Sequence, residues 1–113
     1  IHAHKFKSDI LKSYKTNGKL FGYGASARSS TLLNYCKLSN KHIDFIIDQN
    51  PLKQNLYTPG TNIPIRSIKD SVKNLANKNM VLLAWNFKDE IVKIMKNIDF
   101  KNKIILPIQK KWK

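Results

Sequence analysis

The chain has 113 residues, a single Cys and a formal charge of +14, from 21 Lys and Arg against 7 Asp and Glu. That length supports one ordinary domain whose core needs neither disulfides nor structural metal. A lone thiol excludes an internal disulfide, no paired Cys/His spacing points to zinc, and no apolar stretch approaches the roughly 18 residues that cross a bilayer.

No charged-then-apolar leader opens the sequence, so the expected setting is reducing and cytoplasmic, without a membrane partner. The chain starts at Ile1, as a processed product or a piece of a longer polypeptide would. Its cations are nearly all Lys, dispersed and accompanied by Asn and Ile. Sequence-specific nucleic-acid readers cluster their charge and use Arg or exposed aromatics, so this pattern predicts non-specific attraction to polyanions and no specific nucleic-acid partner.

From Lys5 to Tyr14 the residues Phe6, Ile10, Leu11 and Tyr14 recur at helical spacing, and Asn17-Gly18 supplies a stop. A leading helix is expected within residues 1–18. Lys19 to Tyr23 is a short apolar run ending in glycine. A helix follows, with Leu32, Leu33, Tyr35 and Cys36 as its inward face. Ile43 to Asp48 is nearly all apolar and ends in acid, as a strand buried on both faces would. Gln49 to Asn62 holds Pro51, Pro59 and Gly60 without periodicity, and predicts a long loop before Ile63-Pro64-Ile65. Ser67 to Asn77 places Ile68, Val72 and Leu75 at helical spacing. Met80 to Trp85 is a further apolar strand, Phe87, Ile91, Ile94 and Met95 form the next inward helical face, and Lys103 to Ile108 a last strand, with a frayed tail at 109–113. Alternating strand and helix predicts an α/β, Rossmann-like fold, a mostly parallel sheet with helices on both faces, in a single domain over residues 1–113.

In such a sheet ligands bind beyond the carboxyl ends of the strands, where strand order reverses. Gly22-Tyr23-Gly24-Ala25-Ser26-Ala27 meets the dinucleotide pattern: one glycine for the turn, one for close approach of a pyrophosphate, and a small third residue for helix packing. Ser26, Ser29 and nearby N–H groups would face the same anion at the helix start, and Arg28 adds a fork-shaped donor. A glycine turn used only for packing is the competing explanation. Asp48 lies some twenty residues on, where an acid accepts ribose hydroxyls, or caps the following turn. Asn86 could bind a sugar or base, or cap the helix after it. Lys53, Tyr57 and Thr61 sit on the long loop, where they could close over a ligand, and Tyr57 could equally pack against the core. No catalytic constellation is visible: His2 and His4 do not share a helix face, His42 stands alone, Asp89 and Glu90 sit where a helix dipole favours acids, and Cys36 falls on an inward face.

Four stretches carry a resemblance. They are Gly22-Tyr23-Gly24-Ala25-Ser26-Ala27-Arg28 with Thr31-Leu32-Leu33-Asn34; Ile47-Asp48-Gln49-Asn50-Pro51-Leu52-Lys53-Gln54; Tyr57-Thr58-Pro59-Gly60-Thr61-Asn62-Ile63-Pro64-Ile65; and Leu82-Leu83-Ala84-Trp85-Asn86. In order, and over about four-fifths of the chain, they resemble the carboxyl-terminal domain of the S-adenosylmethionine-dependent sugar C-methyltransferases, which act on nucleotide-linked deoxysugars. The resemblance implies a substrate-binding domain without nicotinamide. Zinc and S-adenosylmethionine would belong to preceding domains of the parent enzyme, and the upstream methyl-donor domain would be its partner. The implied substrate is a nucleotide diphosphate sugar, its diphosphate held by Gly22, Gly24, Ser26 and Arg28, with Tyr23 at the turn. Asp48, Lys53, Tyr57 and Asn86 would contact base, ribose or sugar. Arg28 stands where that family often has Lys. The residues alone leave open an NAD(P)-binding oxidoreductase fragment, a basic nucleic-acid-binding module and a structural assembly module.

Overall fold

A computed structural model describes residues 3–106. Helix α1 (Ala3–Asn17) leads into β1 (Leu20–Tyr23), then α2 (Ala27–Tyr35), β2 (Ile43–Ile47) and β3 (Ile65–Arg66). A single turn of helix, α3 (Ile68–Ser71), precedes β4 (Met80–Leu82), α4 (Lys88–Asn97) and β5 (Ile104–Ile105). The five strands form one parallel sheet in the order β3-β2-β1-β4-β5. This is the α/β, Rossmann-like architecture that the alternating apolar runs predict. The chain builds outward from β1 to β2 and β3, then returns to add β4 and β5 on the other side, so strand order reverses between β1 and its neighbours.

Alternation along the strands divides the core in two. Leu20, Ile43, Ile46, Val81 and Ile105 point to one face, where Phe6 and Ile10 of α1 and Leu33 of α2 cover them. Phe21, Tyr23, Phe45, Ile47, Met80 and Leu82 point to the other, beneath Leu75 and the α4 residues Ile91 and Met95. Phe45 and Ile43 face opposite sides although they are two apart. The register explains this: Leu20 pairs with Ile43 and Gly22 with Ile46, so β2 carries one extra residue, a bulge, opposite Phe21. Phe21 and Phe45 then stack with centroids 5.6 Å apart. Full burial of a side chain of this size contributes about 1.5–3 kcal/mol, which is why four- and five-residue strands suffice.

Several sequence expectations shift. Tyr35 does not face inward and is 76% exposed. With α2 starting at Ala27, its buried stripe is Ser29, Leu33 and the following Cys36. The helix expected over Ser67 to Asn77 shortens to α3 and a 3-10 turn at Val72–Asn74, leaving Val72 exposed. Ser67 caps α3 by accepting from the Asp70 N–H (3.1 Å), while the Ser71 hydroxyl donates back to the Ser67 carbonyl (2.8 Å). Such back-bonding, with Asn74 and Asn77 following, weakens continuation of a helix. Phe87 is also exposed, as the cap residue of α4 rather than part of its buried face. His2, residues 107–108 of the expected last strand and the 109–113 tail lie outside the described residues. No helix among those described is long and apolar enough to cross a membrane.

Candidate functional site

The carboxyl ends of β1, β2 and β4 open into a cleft of about 360 Å³. Its floor is the end of β1 and the turn into α2, where two glycines are fixed by packing. A Cβ on Gly22 would stand 3.1 Å from the Ile46 side chain and 3.2 Å from Leu83. Gly24 has φ +104°, and a Cβ there would lie 2.5 Å from the Ala84 Cβ and 2.9 Å from the Ala84 nitrogen. The end of β4 approaches so closely because the Tyr23 carbonyl accepts from the N–H groups of both Leu83 (2.9 Å) and Ala84 (3.1 Å). Packing is therefore a real function of this glycine pair.

The expected third small residue does not pack as the dinucleotide pattern requires, since Ala27 is exposed. Ser29 takes that place. It is 2% exposed, and its hydroxyl donates to the Gly24 carbonyl at 3.0 Å. Ser26 caps α2, its Oγ accepting from the Ser29 N–H at 3.1 Å. Sequence reasoning placed Ser29 against an anion, and the structure instead uses its hydroxyl to lock the turn.

Around Ala25 the turn is clamped by side chains. Its N–H donates to Asp48 Oδ2 at 2.8 Å, and its carbonyl accepts from Lys53 Nζ at 2.5 Å. The other Asp48 oxygen accepts from the Asn50 N–H at 2.9 Å, and Gln54 donates to the Asp48 carbonyl at 2.7 Å. Asp48 thus caps the turn that follows β2 and simultaneously ties it to the glycine turn. The Gly24 N–H is also taken, by the Ile47 carbonyl at 2.8 Å. Tyr23 accepts from Gln49 Nε2 at 3.1 Å. Burial raises its pKa above the usual 10.0, Gln49 lowers it and the Asp48 charge raises it further, so the phenol stays protonated near neutrality.

Of the nine site residues expected from the sequence, Tyr23, Gly24, Ser26, Asp48 and Lys53 line the cleft. Gly22 is buried in β1. Arg28 is exposed and sets its guanidinium 4.9 Å from the centroid of the Trp85 ring, a cation–π contact at the start of α2. Asn86 is exposed in the turn before α4, and no side-chain hydrogen bond caps that helix. Tyr57 bridges to Pro64 on the β2–β3 connection and is 61% exposed, outside the cleft lining. Thr61 is buried, its hydroxyl 2.5 Å from that of Thr58.

Sequence reasoning missed Gln49, Ala84, Phe87, Glu90, Ile91 and Ile94 as lining residues. Four of them, at 87, 90, 91 and 94, share one helical face, and that spacing could have found them. The cleft therefore has a polar wall from the end of β2 and, from α4, a wall that is apolar apart from Glu90. Elsewhere, Cys36 is buried, which pushes its thiol pKa up, as expected of a core residue. Among the described residues no cluster of three or more His, Cys, Asp and Glu is placed to hold a metal ion.

The sequence pattern of the C-methyltransferase C-terminal domain matches residues 2–108. The C-methyltransferase NovU of Streptomyces niveus is 35% identical over 85 residues, covering 74% of this chain and 20% of that protein. The chain thus spans about a fifth of that relative's length. On the match to nearly its whole length, the chain belongs to the C-methyltransferase C-terminal domain family.

Proposed function

We propose that this chain is the substrate-holding part of a C-methyltransferase, binding a nucleotide diphosphate sugar and positioning its acceptor carbon for S-adenosylmethionine-dependent methyl transfer. The supporting observation is the cleft at the carboxyl ends of β1, β2 and β4, where a parallel sheet of this topology binds ligands, in a chain of the C-methyltransferase family. Ser26 and the Arg28 guanidinium stand together at the exposed start of α2, where a helix N-terminus and a fork-shaped donor favour a diphosphate. Asp48 and Lys53 line the adjoining cleft.

Holding a sugar carbon in line with a methyl donor is itself catalysis by positioning, since orientation lowers the barrier without proton transfer from this domain. The methyl donor, its binding domain and any zinc belong to other parts of the enzyme, with a cytoplasmic setting. Calorimetric titration of the protein with nucleotide diphosphate sugars, free nucleotides, NAD and S-adenosylmethionine at moderate salt tests this reading. Selective binding of the nucleotide sugar is expected, weakened about tenfold in Arg28→Ala by loss of a charge-assisted contact. Selective binding of NAD would overturn it in favour of an oxidoreductase fragment.

A further inference from the structure

The cleft carries a charge opposite to that of the whole chain. Only seven acidic residues oppose 21 cations over the sequence, yet the cleft is lined by two carboxylates, Asp48 and Glu90, and one ammonium, Lys53. That ammonium already donates to the Ala25 carbonyl. The amides that a glycine turn would offer to phosphate are also engaged, Gly24 with the Ile47 carbonyl and Ala25 with Asp48 itself. A diphosphate entering here would meet two like charges and neither of those donors. Asp48 and Lys53 stand on the wall from the end of β2, while Glu90 shares the α4 wall with the apolar Phe87, Ile91 and Ile94.

From this division we infer that the cleft holds the uncharged part of the ligand, a hydroxylated ring with one apolar face, while the diphosphate remains outside it. The inference rests on the nucleotide-sugar reading above and assigns its parts. Carboxylates accept hydrogen bonds from ring hydroxyls, and the C–H face of the ring packs on the α4 side chains. Glu90 becomes a specificity residue that favours hydroxyls and repels phosphate. The ring is supplied either by the nucleoside or by the hexose, which share this chemistry.

Glu90→Gln separates the two placements of the diphosphate by sign. Glu90 is exposed on α4, so the variant should fold, which circular dichroism and thermal melting check. Binding of UDP-glucose, GDP-mannose and dTDP-glucose to the full-length protein is measured by calorimetry, with the corresponding nucleoside diphosphates and inorganic pyrophosphate as competitors. A ring in the cleft predicts that Glu90→Gln weakens the bound nucleotide sugar about tenfold and leaves competition by pyrophosphate unchanged. Equal weakening of the nucleoside diphosphate places the nucleoside in the cleft, and weakening confined to the sugar-bearing ligand places the hexose there. Phe87→Ala, which removes an exposed part of the apolar wall, should weaken the same ligand. Unchanged or tighter nucleotide-sugar binding in Glu90→Gln, with pyrophosphate tightening alongside, overturns the inference and leaves the substrate-holding role intact. Failure of every nucleotide sugar to bind the unmodified protein overturns both.

Discussion

Gly18 and Gly24 both adopt positive φ, +83° and +104°, but they face different surroundings. A Cβ on Gly18 meets nothing within 4 Å, whereas one on Gly24 would overlap Ala84. Gly18→Ala should therefore cost only the left-handed backbone penalty, roughly 1–2 kcal/mol. Gly24→Ala adds displacement of the β4 end, an overpacking cost of roughly another 1–3 kcal/mol, because the nearest atoms include backbone rather than a yielding side chain. Urea unfolding of the two variants measures the difference, and equal losses would mean that the Gly24–Ala84 approach relaxes freely. At this scale the glycine turn was legible from residue types alone. Clamping of Ala25 by Asp48 and Lys53 was not, since it joins residues 23 and 28 positions apart through side chains whose direction no pattern encodes.

The connection between β2 and β3 shows what element-scale periodicity misses. Gln49 to Asn62 has no repeating apolar pattern, yet it folds back on itself through ordered contacts. Asn55 donates to the Ile65 carbonyl, Ile65 to Leu56 and Thr58 to Ile63, while Tyr57 bridges Pro64. At its centre the buried Thr58 hydroxyl sits against Thr61 and accepts from the Ile63 N–H at 2.9 Å. Thr58→Val keeps the side-chain shape and strands that N–H and the Thr61 hydroxyl, so about 1–3 kcal/mol of stability should be lost. Thr58→Ser should retain most of it. Should chemical denaturation show Val and Ser variants equally stable, the hydroxyl pair does not order this connection. Strands β1, β2 and β4 were legible because each lies in a largely apolar run between breakers, although the run expected to reach Trp85 is strand only to Leu82 and then enters a 3-10 turn at Trp85–Phe87. Helix α3 was not, because Ile68, Val72 and Leu75 satisfy helical spacing while Ser67 and Ser71 divert the backbone. In α2 the buried residues Ser29, Leu33 and Cys36 recur at spacings of four and three, and Tyr35, two positions past Leu33, falls on the opposite side of the helix, towards solvent.

For the whole molecule, a charge of +14 makes acid the direction of weakness. Protonation adds to repulsion that the compact state already bears, and His42 gives that weakness a specific component. Its ring lies edge-on to Tyr14 of α1 with centroids 5.1 Å apart, and its Nδ1 accepts from the Ser39 N–H at 3.3 Å. Burial lowers its pKa below the usual 6.5, and the charges of Lys41 and Lys7 lower it further. The folded state therefore favours the neutral ring. Well above the unfolded value of about 6.5 the ring is neutral in both states and its contribution to stability is complete. As pH falls below that value the unfolded chain binds the proton first, and stability declines until the lower folded pKa is passed. His42→Gln, which keeps an acceptor and removes the titration, should flatten the stability profile between about pH 7 and the folded pKa. Salt distinguishes the two components. Dispersed lysine repulsion is screened over about 8 Å at physiological ionic strength, while desolvation of a partly buried ring is not. Urea unfolding across pH at low and high salt should show the overall acid loss shrinking with salt, with a His42-dependent step remaining. If salt abolishes the step as well, lysine repulsion rather than burial governs the His42 titration.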